Sequence, residues 1–282
     1  MAFPPDNPLG FKAVETPYGG IIYNGNDNTI GRSLQEYGEW AANEITFLLQ
    51  FIESGATVID VGTNVGTHAL AFAKKVGPSG TVLCFEPQRI IFQGLCGSMA
   101  LNGVSNVYAF NCALSGKDGF LAEQKIDYAA GDQNFGAVVF TYETVESGDF
   151  TAVPVRRLDD FQIRSCSLLK IDAEGMEHEV LGGADRLLST VRPLIYAEAA
   201  EWSRAVPVLK VLDQYDYKCF LHAPPAYRAD NFRQNPENIF GPAVERNIVA
   251  VPAEKVASLS SRIGELPDFN QQNYEGSAPA RA

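Results

Sequence analysis

The chain has 282 residues, of which 46% are hydrophobic, 20% charged and 11% aromatic. That balance supports a buried core, and it excludes a wholly disordered chain, a collagen-like repeat and a disulfide-dense miniprotein. Its 22 Lys and Arg against 34 Asp and Glu leave a formal charge of −12, which repels phosphate backbones and argues against nucleic acid as a partner.

Five cysteines (Cys84, Cys96, Cys112, Cys166 and Cys219) form no CxxC clip and read as small apolar residues of a reducing compartment. His68, His178 and His222 show no metal-binding spacing. The N-terminus, MAFPPDNPLGFK, has no basic head followed by an apolar run, and no stretch reaches the ~18 apolar residues of a membrane span. The expected location is the cytoplasm.

In chain order, GGIIYNGNDNTIG predicts short strands around an Asn-Gly turn. Glu36 to Ile52 carries Trp40, Ile45, Leu48, Leu49 and Ile52 at three- and four-residue intervals, which predicts one helix ending at Gly55. A regular alternation follows: strand Ala56–Val61, helix Thr67–Val76, strand Thr81–Phe85, helix Ile90–Leu101 and strand Val104–Phe110. Short continuous apolar runs fit strands buried on both faces, and the alternation is that of a doubly wound α/β sheet. Residues 115–150, with GKDG, GDQNFG and the acidic ETVESGD, interrupt it as an irregular or β-rich insertion. The rhythm resumes with strand Ser167–Ile171, helix Met176–Ser189, strand Pro193–Ala197, helix Ala205–Gln214 and strand Tyr217–Leu221. A long loop at 223–244 precedes a last strand at Asn247–Val251, and QQNYEGSAPARA is expected to fray. No repeat or linker splits the chain. The expected organisation is one domain: an N-terminal extension and helix (1–55), a core (56–251) and a polar tail (252–282).

VIDVGTNVGTHA at 58–69 is the most informative segment. An apolar strand ends in Asp60, Gly62 follows, and Gly66 opens a helix. A glycine admits a ligand to the backbone, and a helix N-terminus offers free N–H groups. The pattern is DxGxNxG rather than the GxGxxG of dinucleotide binders, and an acid beside the loop suits a cationic group better than a diphosphate. Glu86 ends the second strand twenty-four residues after Gly62, where an acid accepts hydrogen bonds from ribose hydroxyls. Asp60, Gly62, Gly66 and Glu86 together describe a pocket for an adenosine ligand with a positive charge and no phosphates. S-adenosylmethionine fits that description; NAD is the alternative.

The runs VIDVGTNVGTHALAFAKKV, CFEP (84–87), NCALS (111–115), RRLDD (156–160) and LLKIDAEGMEHEVLGG (168–183) occur in this order. Over about residues 36–200 the sequence resembles the FkbM-type family of S-adenosylmethionine-dependent methyltransferases. The resemblance implies a Rossmann-like sheet of seven strands with the last one antiparallel. It also implies methyl transfer, typically to a hydroxyl of a sugar or natural product. By the same resemblance, Asp60, Gly62, Thr63, Asn64 and Gly66 line the methionine end of the cofactor. Glu86 holds the ribose, with Pro87 and Gln88 beside it, and Cys112, Ala113 and Leu114 lie near the adenine. Glu39, in the segment before the sheet, is a candidate to reach the cofactor.

On the acceptor side, Asp172 and Glu198 end the fourth and fifth strands, on the edge that faces the ligand crevice, and Glu174 follows Asp172. Either carboxylate is a candidate general base for an alcohol acceptor. A divalent ion between two carboxylates is the other route, not favoured because the sequence shows no clear third ligand. His68 is expected to pack or cap, and Lys170, inside an apolar strand, needs an ionic partner. The segments 125–150 and 223–244 are the expected acceptor-selecting loops, with Arg228 and Arg233 hinting at an anionic or polar acceptor. An NAD-dependent oxidoreductase and a non-catalytic binding scaffold are the competing readings.

Overall fold

The computed structural model describes residues 7–131, 133–140 and 150–277. The chain opens with a hairpin, β1 (Phe11–Thr16) and β2 (Gly19–Asn24), followed by helices α1 (Ile30–Tyr37) and α2 (Ala42–Leu48). The central part runs β3 (Thr57–Val61), α3 (Thr67–Val76), β4 (Thr81–Phe85), α4 (Arg89–Leu101) and β5 (Val107–Phe110). A small sheet, β6 (Ala113–Leu114), β7 (Gly119–Gln124) and β8 (Phe150–Arg156), forms the insertion. Then come β9 (Leu168–Ile171), α5 (Glu177–Gly182), β10 (Leu194–Glu198), α6 (Trp202–Gln214), β11 (Tyr217–His222), β12 (Asn247–Pro252), α7 (Val256–Ile263) and α8 (Gln271–Gly276).

Seven strands make the main sheet in the order β11-β12-β10-β9-β3-β4-β5. β3, β4, β5, β9 and β10 pair in parallel, and β12 runs antiparallel to both β10 and β11. Successive residues alternate between two apolar layers. Val58, Leu168 and Val249 face α3 and the N-terminal hairpin, while Ile59, Leu169 and Ile248 face α5 and α6. Both faces are covered, which is why these strands read as unbroken apolar runs. The chain builds β4 and β5 on one side of β3, then β9 and β10 on the other. The carboxyl ends of β3 and β9 are therefore the switch point, where a crevice opens in such sheets.

Several expectations need correction. The hairpin turns at Pro17-Tyr18, with Thr16 opposite Gly19, and Asn24-Gly25 instead leads the chain out of β2. The single helix expected over 36–52 is broken: Gly38, left-handed at φ 68°, caps α1, and the chain crosses Ala41 before α2 begins. A positive φ is cheap for glycine and ends a helix. The helix expected over Met176–Ser189 stops at Gly182, because Gly183 passes so close to the Ser115 carbonyl that a Cβ would sit 2.2 Å from it. The expected frayed end is ordered through Gly276: Tyr274 is buried and its hydroxyl donates to the carbonyls of Ala199 (3.0 Å) and Ala200 (2.7 Å). The insertion is β-rich as read, with its acidic 143–149 stretch outside the described residues. All five cysteines are free thiols; Cys96, expected to be buried, is exposed. Among the described residues, no helix is long and apolar enough to cross a membrane.

Candidate active site

At the switch point Gly62 leaves β3 with φ 72°, and a Cβ there would lie 1.7 Å from the Asp172 carbonyl oxygen. Only glycine lets the ends of β3 and β9 approach this closely. The loop is fixed from below: Gly62 N–H donates to Phe85 O (2.9 Å) and Thr63 Oγ1 donates to Asp60 O (2.8 Å). Asn64 takes a left-handed conformation at φ 51° and aims its N–H at Glu86 Oε2 (2.8 Å), while Gln88 N–H donates to Oε1 (2.8 Å). Burial pushes the Glu86 carboxyl up to about 7, although these two N–H bonds pull the other way.

Above this loop lies a cavity of about 320 Å³. That is within the usual range for small-molecule sites, roughly 300–1,000 Å³. One half is lined by Gly62, Thr63, Asn64, Glu86, Pro87, Gln88, Cys112, Ala113 and Leu114. The other half is acidic, with Asp172 and Glu174 after β9, Glu198 ending β10 and Glu245 just before β12, together with Lys170 and His68. Trp40 forms part of the wall. Thr29 and Ile30 from the start of α1 and Asn134, Gly136, Ala137, Val138 and Phe140 from the insertion complete it.

Strand register explains the charges beneath. Asp60 of β3 stands opposite Lys170 of β9, and Lys170 opposite Tyr196 of β10. Lys170 Nζ lies 3.3 Å from Asp60 Oδ1 and 3.5 Å from Asp172 Oδ2. Burial alone would lower the Lys170 pKa, but the charges of Asp60, Asp172 and Glu44 outweigh it and raise it above the ordinary lysine value. On the same face, His68 Nε2 sits 3.6 Å from Glu44 Oε2, and Asn247 Nδ2 donates to Glu44 Oε1 (2.9 Å). Burial holds His68 down to about 3, so it is neutral and the contact is not an ion pair; burial also pushes Glu44 up to about 7. Burial and the charge of Asp172 raise the carboxyls of both Glu174 and Glu198. One oxygen from each of Asp172, Glu174 and Glu198 lies within 4.8 Å of the others.

Ten of the twelve residues expected from the sequence thus line one cavity: Gly62, Thr63, Asn64, Glu86, Pro87, Gln88, Ala113, Leu114, Asp172 and Glu198. Two do not. Asp60 is fully buried beneath the floor as the partner of Lys170, and Gly66 packs against Leu95 and Met99. Glu39 does not reach the cavity either, since Arg228 Nε and Nη2 grip its carboxylate at 2.7 and 2.9 Å. This also removes the hint of an anionic acceptor: Arg228 serves Glu39, and Arg233 donates to the Gln35 carbonyl. The 223–244 loop braces α1 rather than lining the cavity, with Phe232 N–H on Glu39 Oε2 and Arg233 N–H on Tyr37 O. His68, read as packing, belongs to the wall. Glu245, Thr29 and Ile30 were missed, because no local pattern marks residues that distant segments carry to the cavity.

The antiparallel strand inserted between two parallel-running ones, with the glycine loop at the switch point, defines the class I methyltransferase fold. A profile described as the methyltransferase FkbM domain matches residues 60–219, and the chain belongs to that family. "Methyltransferase 1" of Beauveria bassiana (strain ARSEF 2860) is 33% identical, over 45% of this chain and 58% of that protein. "Methyltransferase sdnD" of Sordaria araneosa is 27% identical, over 48% and 62%. The chain thus spans about three fifths of these curated relatives. The crystal structure of an FkbM methyltransferase from Methylobacillus flagellatus KT is 17% identical with a TM-score of 0.44, covering 70% of this chain and 44% of that one.

Proposed function

We propose that this chain is an S-adenosylmethionine-dependent methyltransferase that methylates a hydroxyl of a small molecule, such as a sugar or natural product. The observation that carries the reading is the divided cavity above Gly62. One half offers Glu86, Gln88 and small apolar groups to a nucleoside; the other offers carboxylates to an acceptor. The cradle fits the donor: a Cβ at Gly62 has no room, and Glu86, holding two backbone N–H groups, keeps lone pairs for ribose hydroxyls. When bound, the donor supplies a methyl group activated by a sulfonium charge. The acidic half favours that charge, and the walls align the acceptor for in-line displacement.

Glu198 is the better of the two candidate bases. Asp172 is engaged by Lys170 at 3.5 Å, whereas Glu198 ends β10 at the cavity with its carboxyl raised. A raised carboxyl holds an abstracted proton well, which is what a general base near neutral pH requires. Glu174 supplies the third carboxylate missing from the sequence reading and supports a second route, in which a divalent ion held by Asp172, Glu174 and Glu198 lowers the hydroxyl pKa. Transfer of labelled methyl to a panel of sugar and natural-product alcohols tests both. Glu198→Gln should reduce turnover by about 100-fold or more, with donor affinity unchanged and chelator without effect. Full activity in Glu198→Gln refutes the base, and loss of activity with chelator, restored by magnesium, favours the ion.

A further inference from the structure

Two polar sequence segments, NGNDNTIG at 24–31 and QNFG at 133–136, are left unexplained by the reaction. In the fold they meet. Asn28 N–H donates to Gln133 O (2.8 Å), and Gln133 N–H donates to Asn26 O (3.4 Å). Asn24 and Asn26 both direct their side-chain amides at Tyr128 O, at 2.9 and 3.1 Å. At the centre is Asp27, 7% exposed. Its Oδ1 accepts from Thr29 N–H (2.8 Å) and Gly31 N–H (3.0 Å), and its Oδ2 accepts from Phe135 N–H (3.2 Å). One carboxylate therefore gathers backbone from the N-terminal extension and from the insertion, segments more than one hundred residues apart.

The joined segments cross the cavity. Thr29, Ile30 and residues 136–138 line it from above, and the far side is tied to the floor where Gln88 Nε2 donates to Phe135 O (2.7 Å). Gly136 is the point of closest passage: a Cβ there would lie 3.1 Å from Ile30 Cδ1 and 3.9 Å from Asn64 Nδ2 of the glycine loop. Gln88 and Asn64 belong to the half of the cavity assigned above to the nucleoside, so the roof covers the donor side.

We propose that Asp27 is a positioning residue: it latches residues 27–31 to residues 133–138 as a single roof over the methyl donor, and this roof must open for the donor to enter or leave. The assignment of that ligand rests on the function proposed above; the latch itself does not. An ionised carboxylate accepting three backbone N–H bonds is suited to the task, because charge-assisted hydrogen bonds are among the stronger ones. An amide in its place has only one acceptor oxygen and turns a donor toward a donor.

The experiment compares the wild-type chain with Asp27→Asn, and with Gly136→Val as a second variant that crowds the roof and leaves Asp27 intact. Rapid-mixing kinetics with S-adenosylhomocysteine give entry and exit rates, and hydrogen exchange of the ligand-free proteins gives the protection of the Phe135 and Asn28 amides. Both variants should speed exit by at least about tenfold and speed entry as well, while amides within α3 keep their protection. A variant that merely damages the fold would leave both rates unchanged in the molecules that still bind, or would loosen α3 too. Unchanged rates with unchanged Phe135 exchange overturn the latch, and so does slower entry. If wild-type protein fails to bind S-adenosylhomocysteine, the methyl-donor reading falls. The exchange data then decide the latch alone: faster exchange at Phe135 and Asn28 in Asp27→Asn upholds it, and equal exchange rejects it.

Discussion

At the scale of single residues, the floor of the cavity depends on a buried cation. Lys170 is 3% exposed and Asp60 is not exposed at all, so removing either leaves a charge in a medium that cannot solvate it. Lys170→Ala should destabilise the protein by about 3–5 kcal/mol, read as a shift of the denaturation midpoint. The double replacement Asp60→Asn with Lys170→Met should recover most of that loss, since a neutral pair bears no such cost. A single Lys170→Ala that unfolds at the wild-type midpoint would show that Asp60 carries no charge. The acidity of Asp60 was legible in the sequence, but its role was not. The strand pattern fixes which residues alternate onto one face, but only the register of β3 against β9 puts Lys170 opposite Asp60.

At the scale of elements, the alternation of short apolar strands with helices was legible because period and length both point the same way. α3 matches its expected bounds of Thr67–Val76, and β4 those of Thr81–Phe85. What failed were continuities across glycine. The helical pattern through Glu36–Ile52 is genuine in its apolar spacing, yet Gly38 needs a positive φ and Glu39 is pulled toward Arg228 of a distant loop. Helical spacing states which face would be buried, not whether the chain stays helical between two turns. The site shows the same division. Residues on the strand-end loops, such as Gly62, Asn64, Glu86 and Asp172, were legible because an open sheet fixes where its carboxyl edge lies. The roof was not, because its parts come from a hairpin exit and an insertion joined by contacts of long sequence separation.

At the scale of the whole molecule, the buried titratable groups set opposing pH trends. Glu44 and Glu86 are both raised to about 7 from an ordinary value of 4.5. The folded state then holds more protons than the unfolded one between these limits, so stability present at low pH is lost as pH rises from about 4.5 through 7. His68 and His222 are lowered to about 3 and about 4 from 6.5, so their contribution is present above 6.5 and lost as pH falls toward those values. The trends balance between about pH 4.5 and 6.5, and thermal unfolding should show its maximum there and a decline by about pH 8. A melting temperature that climbs steadily from pH 5 to 8 would contradict the burial of these carboxyls. Glu86→Gln should flatten the decline on the alkaline side.

The charge of −12 gains meaning at the same scale. Much of the acid borders one cavity, where a sulfonium donor is welcome and a diphosphate is not. Calorimetric titration of the chain with S-adenosylmethionine and, separately, with NADH is the most direct test of that contrast. The account predicts saturable heat at one site per chain for the sulfonium donor, lost in Gly62→Val, and none for NADH; saturable heat for NADH with none for S-adenosylmethionine would contradict it.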